Sequence, residues 1–142
     1  MDSMNLRAEQ KQWLRDVLRQ TDQAGHQAIV FAHKPVNVSP YVNPELVEIL
    51  ESAGCVFAFF AGHHHPGEYS VENGIHYVTM QGMVETPENN AYAVVHLFDD
   101  HVAIEGVGNV PSRTLDRQDI SERSPDRKRI IQLCNNNLWP QQ

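Results

Sequence analysis

Two short apolar runs, Ala28-Ile29-Val30-Phe31-Ala32 and Cys55-Val56-Phe57-Ala58-Phe59-Phe60-Ala61, each end in front of a histidine, directly at His33 and one glycine later at His63. Their length and their β-branched and aromatic content predict buried strands rather than helices. A helical pattern precedes each run. Over residues 9–24, Trp13, Leu14, Val17 and Leu18 recur on one face, and Gly25 is a natural stop. Over residues 44–53, Leu46, Val47, Ile49 and Leu50 form the face. Asn43 suits the N-cap there, Pro44 the first turn, Glu45 the positive end of the dipole and Gly54 the stop. The order helix, strand, helix, strand predicts two parallel strands joined by a crossover. After His65 the texture changes. A strand is expected over 75–80, and a hairpin over 91–98 and 101–107 turns at Asp99-Asp100, which gives this half an antiparallel character.

Parallel pairing makes the histidines a candidate site, because open α/β sheets bind ligands at the carboxyl ends of their strands. His33 and the triplet His63-His64-His65 would leave the same sheet edge, about 5 Å apart from strand to strand. In an extended segment, His63 and His65 lie on one side and His64 on the other. Gly62 leaves the backbone open to a ligand. Neutral imidazole suits zinc, iron, manganese or nickel. His26, His76, His96 and His101 stand singly and are read as structural, and His64 falls on the wrong side. Asp99-Asp100-His101 has the order Asp-x-His, but it sits in a hairpin turn. Gly108-Asn109 is followed by Val110 and makes no Gly-Asn-His.

Charge and composition exclude several classes. The formal charge is −7, and the 41% apolar content is enough for a core. An acidic chain of pI 5.5 argues against nucleic acid as a partner. No apolar run approaches the roughly 20 residues of a membrane helix, and residues 1–24 lack the apolar centre of a signal peptide, so cytoplasm is the expected compartment. Cys55 and Cys134 form no disulfide framework or zinc ribbon, and Cys55 reads as a packing residue. No Gly-x-Ser-x-Gly, P-loop or dinucleotide-binding glycine pattern occurs. No Lys or Arg lies between Lys34 and Arg113, so an anionic ligand held by this stretch would need positive charge from elsewhere, a metal ion being the obvious source.

An apolar strand ending at His33, with Phe59-Phe60-Ala61-Gly62-His63-His64-His65 thirty residues on, resembles the calcineurin-like metallophosphoesterases, whose Gly-His-x-His motif matches Gly62 to His65. Within them the chain is most similar to the manganese-dependent ADP-ribose/CDP-alcohol diphosphatase subgroup. Gln12-Trp13-Leu14, Gly67-Glu68-Tyr69-Ser70, Gln81-Gly82-Met83-Val84-Glu85-Thr86 and Gly106-Val107-Gly108-Asn109-Val110-Pro111-Ser112-Arg113 carry that likeness. The resemblance implies an α/β fold, the C-terminal half of an αββα sandwich, over residues 1–114, with a polar C-terminal tail over 115–142. It implies a hydrolase that opens a phosphoric anhydride with a metal-bound hydroxide. Two divalent ions, manganese with iron or zinc as alternatives, would serve the complete domain. By the same resemblance His33 and His63 serve one ion and His65 the other, while Tyr69 is a candidate for stacking on a small nucleotide-type substrate. The family's Asp-x-His, Gly-Asp-x-x-Asp and Gly-Asn-His-Glu motifs do not occur here. The catalytic residues beyond the metal ligands are therefore unassigned. The expected partner is a complementing N-terminal half or a second copy of the chain. Two alternatives stand beside this: a non-catalytic remnant that binds one metal or a partner, and an α/β domain whose histidines are incidental. In the tail, residues 130–133 read as a helical turn or docking segment and 135–142 as a frayed end.

Overall fold

The structure, a computed structural model, describes residues 5–84 and 88–117. The first helix, α1, spans Ala8–Gln23. The Arg7 N–H donates to Gln10 Oε1 at its start (3.0 Å). At its end, Gly25 takes φ +69°, its N–H bonds Asp22 O, and the His26 N–H bonds Thr21 O. This is a Schellman stop, and the left-handed residue in it favours glycine. Helix α2, Pro44–Ser52, begins as its sequence dictates, with Asn43 Oδ1 accepting from the Leu46 N–H at 3.1 Å. It ends on extended Ala53, one residue before the expected Gly54. No described helix is long and apolar enough to cross a membrane.

The strands are β1 Ala28–Phe31, β2 Val56–Ala61, β3 Glu68–Glu72, β4 Ile75–Thr79, β5 Ala91–Leu97, β6 His101–Gly108 and β7 Arg113–Asp116. One sheet has the order β1-β2-β4-β3 and the other β5-β6-β7. The expected parallel pairing of β1 with β2 is present. β4 departs from the antiparallel reading of the second half: it lies parallel to β2, and β3 folds back against its other side. β3 and β7 have no apolar run to announce them. Both are short edge strands with polar outward residues, and their inward residues are few.

Three layers result. Val56, Phe59 and Ala61 of β2 join Leu18, Leu46, Ile49 and Leu50 under the helices, while Phe57, Ala58 and Phe60 join Val78, Val102, Ile104 and Leu115 between the sheets. Strict alternation would not divide β2 in this way. The pairing with β1 slips by one residue between Ala28 and Ile29, which resets the faces. Cys55 is buried and its thiol donates to Leu18 O (3.3 Å), a packing role as expected. The α1 face is narrower than its periodicity predicts: Leu18 is buried, whereas Trp13 is 63% exposed. Among the described residues α1 packs chiefly on α2, and Trp13 lies outside that contact.

The two sides of the sandwich differ. On the β3/β7 side, Arg113 lies over the Tyr69 ring (4.5 Å), and Tyr69 stacks on His76. Asp116 O can only accept, so His76 Nε2–H donates to it (2.9 Å) and His76 Nδ1 accepts from the Tyr69 hydroxyl (3.0 Å). His76 is thus the structural histidine the sequence suggested. On the opposite side, β1 and β5 are both edge strands, and a cleft of about 180 Å³ opens between the sheets. Ile29, Phe57, Leu97 and Phe98 are among its lining residues. Phe31 and Leu97 are largely exposed there.

The expected division between residues 114 and 115 falls inside β7, where Leu115 pairs with Val102 and is fully buried. The rest of the expected tail, residues 118–142 with Cys134 and the 130–133 segment, lies outside the described residues. Leu115→Ala is expected to destabilise the domain by about 3 kcal/mol in chemical denaturation, the usual cost of emptying a buried leucine site.

Candidate metal centre

Pairing of β1 with β2 continues past both strands. The Ala32 N–H donates to Phe60 O (2.9 Å) and the Gly62 N–H to His33 O (3.1 Å), which sets His33 abreast of Gly62. A Cβ on Gly62 would meet only His33 O, at 3.7 Å, so packing alone does not require glycine there.

The chain then turns sharply. His63 takes φ +65°, and the His64 N–H donates back to Gly62 O (2.7 Å). This is a γ-turn in its strained, positive-φ form. It overturns the extended reading of residues 62–65, because the backbone reverses at His63 instead of alternating sides. His63 and His64 both come to the edge of the buried Tyr41 ring, with centroids 5.1 and 6.0 Å away. A non-glycine residue with positive φ costs on the order of 1–3 kcal/mol and persists only where its surroundings hold it.

The turn brings His63 Nδ1 into hydrogen-bond contact with His33 Nε2 (3.1 Å), with the rings edge to face. Two nitrogens at that separation subtend about 95° at a cation with bonds of ~2.1 Å, the angle of neighbouring positions in an octahedron. That spacing is compatible with the two nitrogens serving as neighbouring ligands of one divalent ion. Partial desolvation, then the charge of Lys34, hold the His63 imidazole below its ordinary pKa, with smaller contributions from His33 and His65. The shift favours the neutral ring, the form a metal needs.

His65 is placed apart from the pair. Its ring lies against Gly82, where an added Cβ would meet His65 Cγ at 2.6 Å, and the Gly82 N–H donates to His65 O (2.9 Å). Among the described residues, no group of three or more His, Cys, Asp or Glu side chains is arranged to hold a metal. The three expected ligands are thus not gathered into one metal-holding group among the described residues, although the charge of His65 acts on His63. Tyr69 is on β3, the edge strand opposite β1, with its ring engaged by His76 and Arg113. Asp100 and His101 are at the hairpin, where His101 Nδ1–H donates to the carboxylate (2.6 Å) and lowers its pKa. His96 Nε2 lies 3.2 Å from Glu105. Sequence reasoning missed Tyr41, Lys34 and the need for Gly82. Lys34 adjoins His33 and was visible; the contacts of Tyr41 and Gly82 cross separate loops, and no local pattern marks them.

No model of a protein family matches the chain. It is 32% identical over 119 residues to the manganese-dependent ADP-ribose/CDP-alcohol diphosphatase of Xenopus laevis, covering 78% of this chain and 33% of that protein. The Bos taurus protein of the same name is 34% identical over 116 residues (75% and 34%), and the Homo sapiens one 32% over 116 residues (75% and 34%). The crystal structure of a dimetal phosphatase from Danio rerio matches with a TM-score of 0.76 at 28% identity, over 80% of this chain and 39% of that one. The chain has the metallophosphoesterase fold over the span compared. Within that family it is a homologue of the manganese-dependent ADP-ribose/CDP-alcohol diphosphatases, and it spans about a third of the length of these curated relatives.

The positive φ of residue 63 is a conformation that favours glycine. His63→Gly is expected to be more stable than His63→Ala by about 1 kcal/mol in denaturant titrations, because alanine keeps the left-handed penalty and glycine does not.

Proposed function

We propose that this chain supplies the histidine side of a dimetal centre that hydrolyses the phosphoric anhydride of ADP-ribose or CDP-alcohol type substrates, with manganese as the metal. The observation that carries the reading is the 3.1 Å approach of His33 Nε2 and His63 Nδ1 at the carboxyl ends of two parallel strands. His33 and His63 would hold one ion and His65 the other. A bound divalent ion supplies Lewis acidity to a phosphoryl oxygen and the charge that ionises a nucleophilic water. The chain's own part is to present imidazole nitrogens, fix His33 and His63 through the strand pairing, and stand His65 against Gly82. Tyr69, engaged with His76 and Arg113, is not assigned to the substrate.

Two dications held by neutral imidazoles alone lack the anionic ligands that would offset their charge. Among the described residues no carboxylate joins the pair. We infer that the carboxylates come from a further polypeptide region, corresponding to the N-terminal half of the fold. The β1 and β5 edges, unpaired among the described residues, the cleft between them and the exposed Phe31 and Leu97 support docking on that side, next to His33. The same lack of a carboxylate favours, as the second reading, a remnant that binds metal without hydrolysis.

The test measures AMP release from ADP-ribose with Mn²⁺, using the chain alone and mixed with the remaining two thirds of a diphosphatase relative. Release in the mixture, lost with His63→Ala and absent from the chain alone, is expected. A folded mixture that binds Mn²⁺ but releases no AMP would support the remnant instead.

A further inference from the structure

The strained turn at His63 needs something to hold it, and the loop between β1 and α2 provides a large buried ring that touches it, that of Tyr41. That loop, residues 32–43, is pinned along its length. The Tyr41 N–H donates to Val38 O (2.7 Å) and the Asn43 N–H to Val36 O (2.8 Å). Asn37 Nδ2 donates to Ser70 Oγ and to Glu72 Oε1, both at 2.9 Å, which ties the loop to β3. Val36 is fully buried and Asn43 is also the cap of α2. Tyr41, 6% exposed, therefore stands on a support fixed at both ends.

Its ring meets His63 edge to face at 80° and 5.1 Å, and the His33 ring meets His63 at 71° and 5.0 Å. The His63 imidazole is held by two rings, only one of which would ligate a metal. Edge-to-face pairs of this kind add attraction beyond area burial, which acts against the strain of a positive-φ residue.

We propose that Tyr41 is the positioning residue of this metal centre: its ring edge holds His63 in the left-handed turn that points the imidazole at His33. The inference rests on the metal-site reading for its consequence, but the contact itself can be tested without metal. Tyr41 touches His63 through the ring, so Tyr41→Phe should keep its function and Tyr41→Leu should lose it.

The first readout is the metal-free protein by NMR: the His63 backbone coupling that reports φ, and the cross-relaxation between the His33 and His63 rings. Both should persist in Tyr41→Phe and vanish in Tyr41→Leu. The second is Mn²⁺ affinity by EPR titration, expected within twofold of the unaltered chain for Tyr41→Phe and at least tenfold weaker for Tyr41→Leu. Should Tyr41→Leu fail to fold, Tyr41→Met takes its place. Retention of the His33–His63 contact in the leucine or methionine variant would overturn the proposal, as would its loss in Tyr41→Phe. If the unaltered chain binds no Mn²⁺, the metal reading fails, while the metal-free readout still decides the role of Tyr41.

Discussion

The hydrogen bonds that prolong the β1–β2 ladder, from Ala32 N–H to Phe60 O and from Gly62 N–H to His33 O, are the constraint on which the site depends. Parallel strands joined by a helix leave the sheet at the same end, so two histidines thirty residues apart in sequence become neighbours. The helix between them is well specified at its start by Asn43 and Pro44, and its buried face of Leu46, Ile49 and Leu50 covers β2. Core packing, crossover and ligand approach are therefore one arrangement rather than three.

Beyond the ladder the chain trades local comfort for geometry. His63 adopts a backbone conformation that favours glycine, yet a glycine there would carry no imidazole. Around it the structure supplies a buried tyrosine ring, a second histidine and a tight turn closed by the His64 N–H. Gly82 makes the reciprocal concession: it gives up a side chain so that the His65 ring can lie against its backbone. Strain concentrated in this way at a ligand-bearing turn, with the surrounding loop tied down by Asn37, is a common way for a fold to hold a site.

Much of this was legible in the sequence where local chemistry decides the outcome. Asn43-Pro44 marks a helix start and Gly25 a helix stop, and an apolar run of seven residues can only be a buried strand if it is too short for a helix. Edge strands were not legible, because β3 and β7 bury few residues, and a polar strand such as Arg113-Thr114-Leu115-Asp116 differs little from a loop until its partner is known. The α1 face was overread at Trp13 for a related reason: periodicity shows which residues share a face, not whether anything covers it. At the site, residue identity pointed to His33, His63 and His65, but the sides they take depend on a reversal at His63 that alternation cannot foresee. Tyr41 enters only through a loop whose position is set by contacts with β3.

The two sides of the sandwich complete the account. Tyr69, His76, Arg113 and Asp116 satisfy one another where β3 meets β7, while β1 and β5 keep open edges where the histidine pair begins. The central claim is that the His33–His63 pair is a metal site. Anomalous diffraction from crystals grown with MnCl₂ tests it most directly. The account predicts a manganese peak within coordinating distance of both His33 Nε2 and His63 Nδ1. Crystals at saturating manganese in which the two rings still share a hydrogen bond, with the metal bound elsewhere or nowhere, would contradict it.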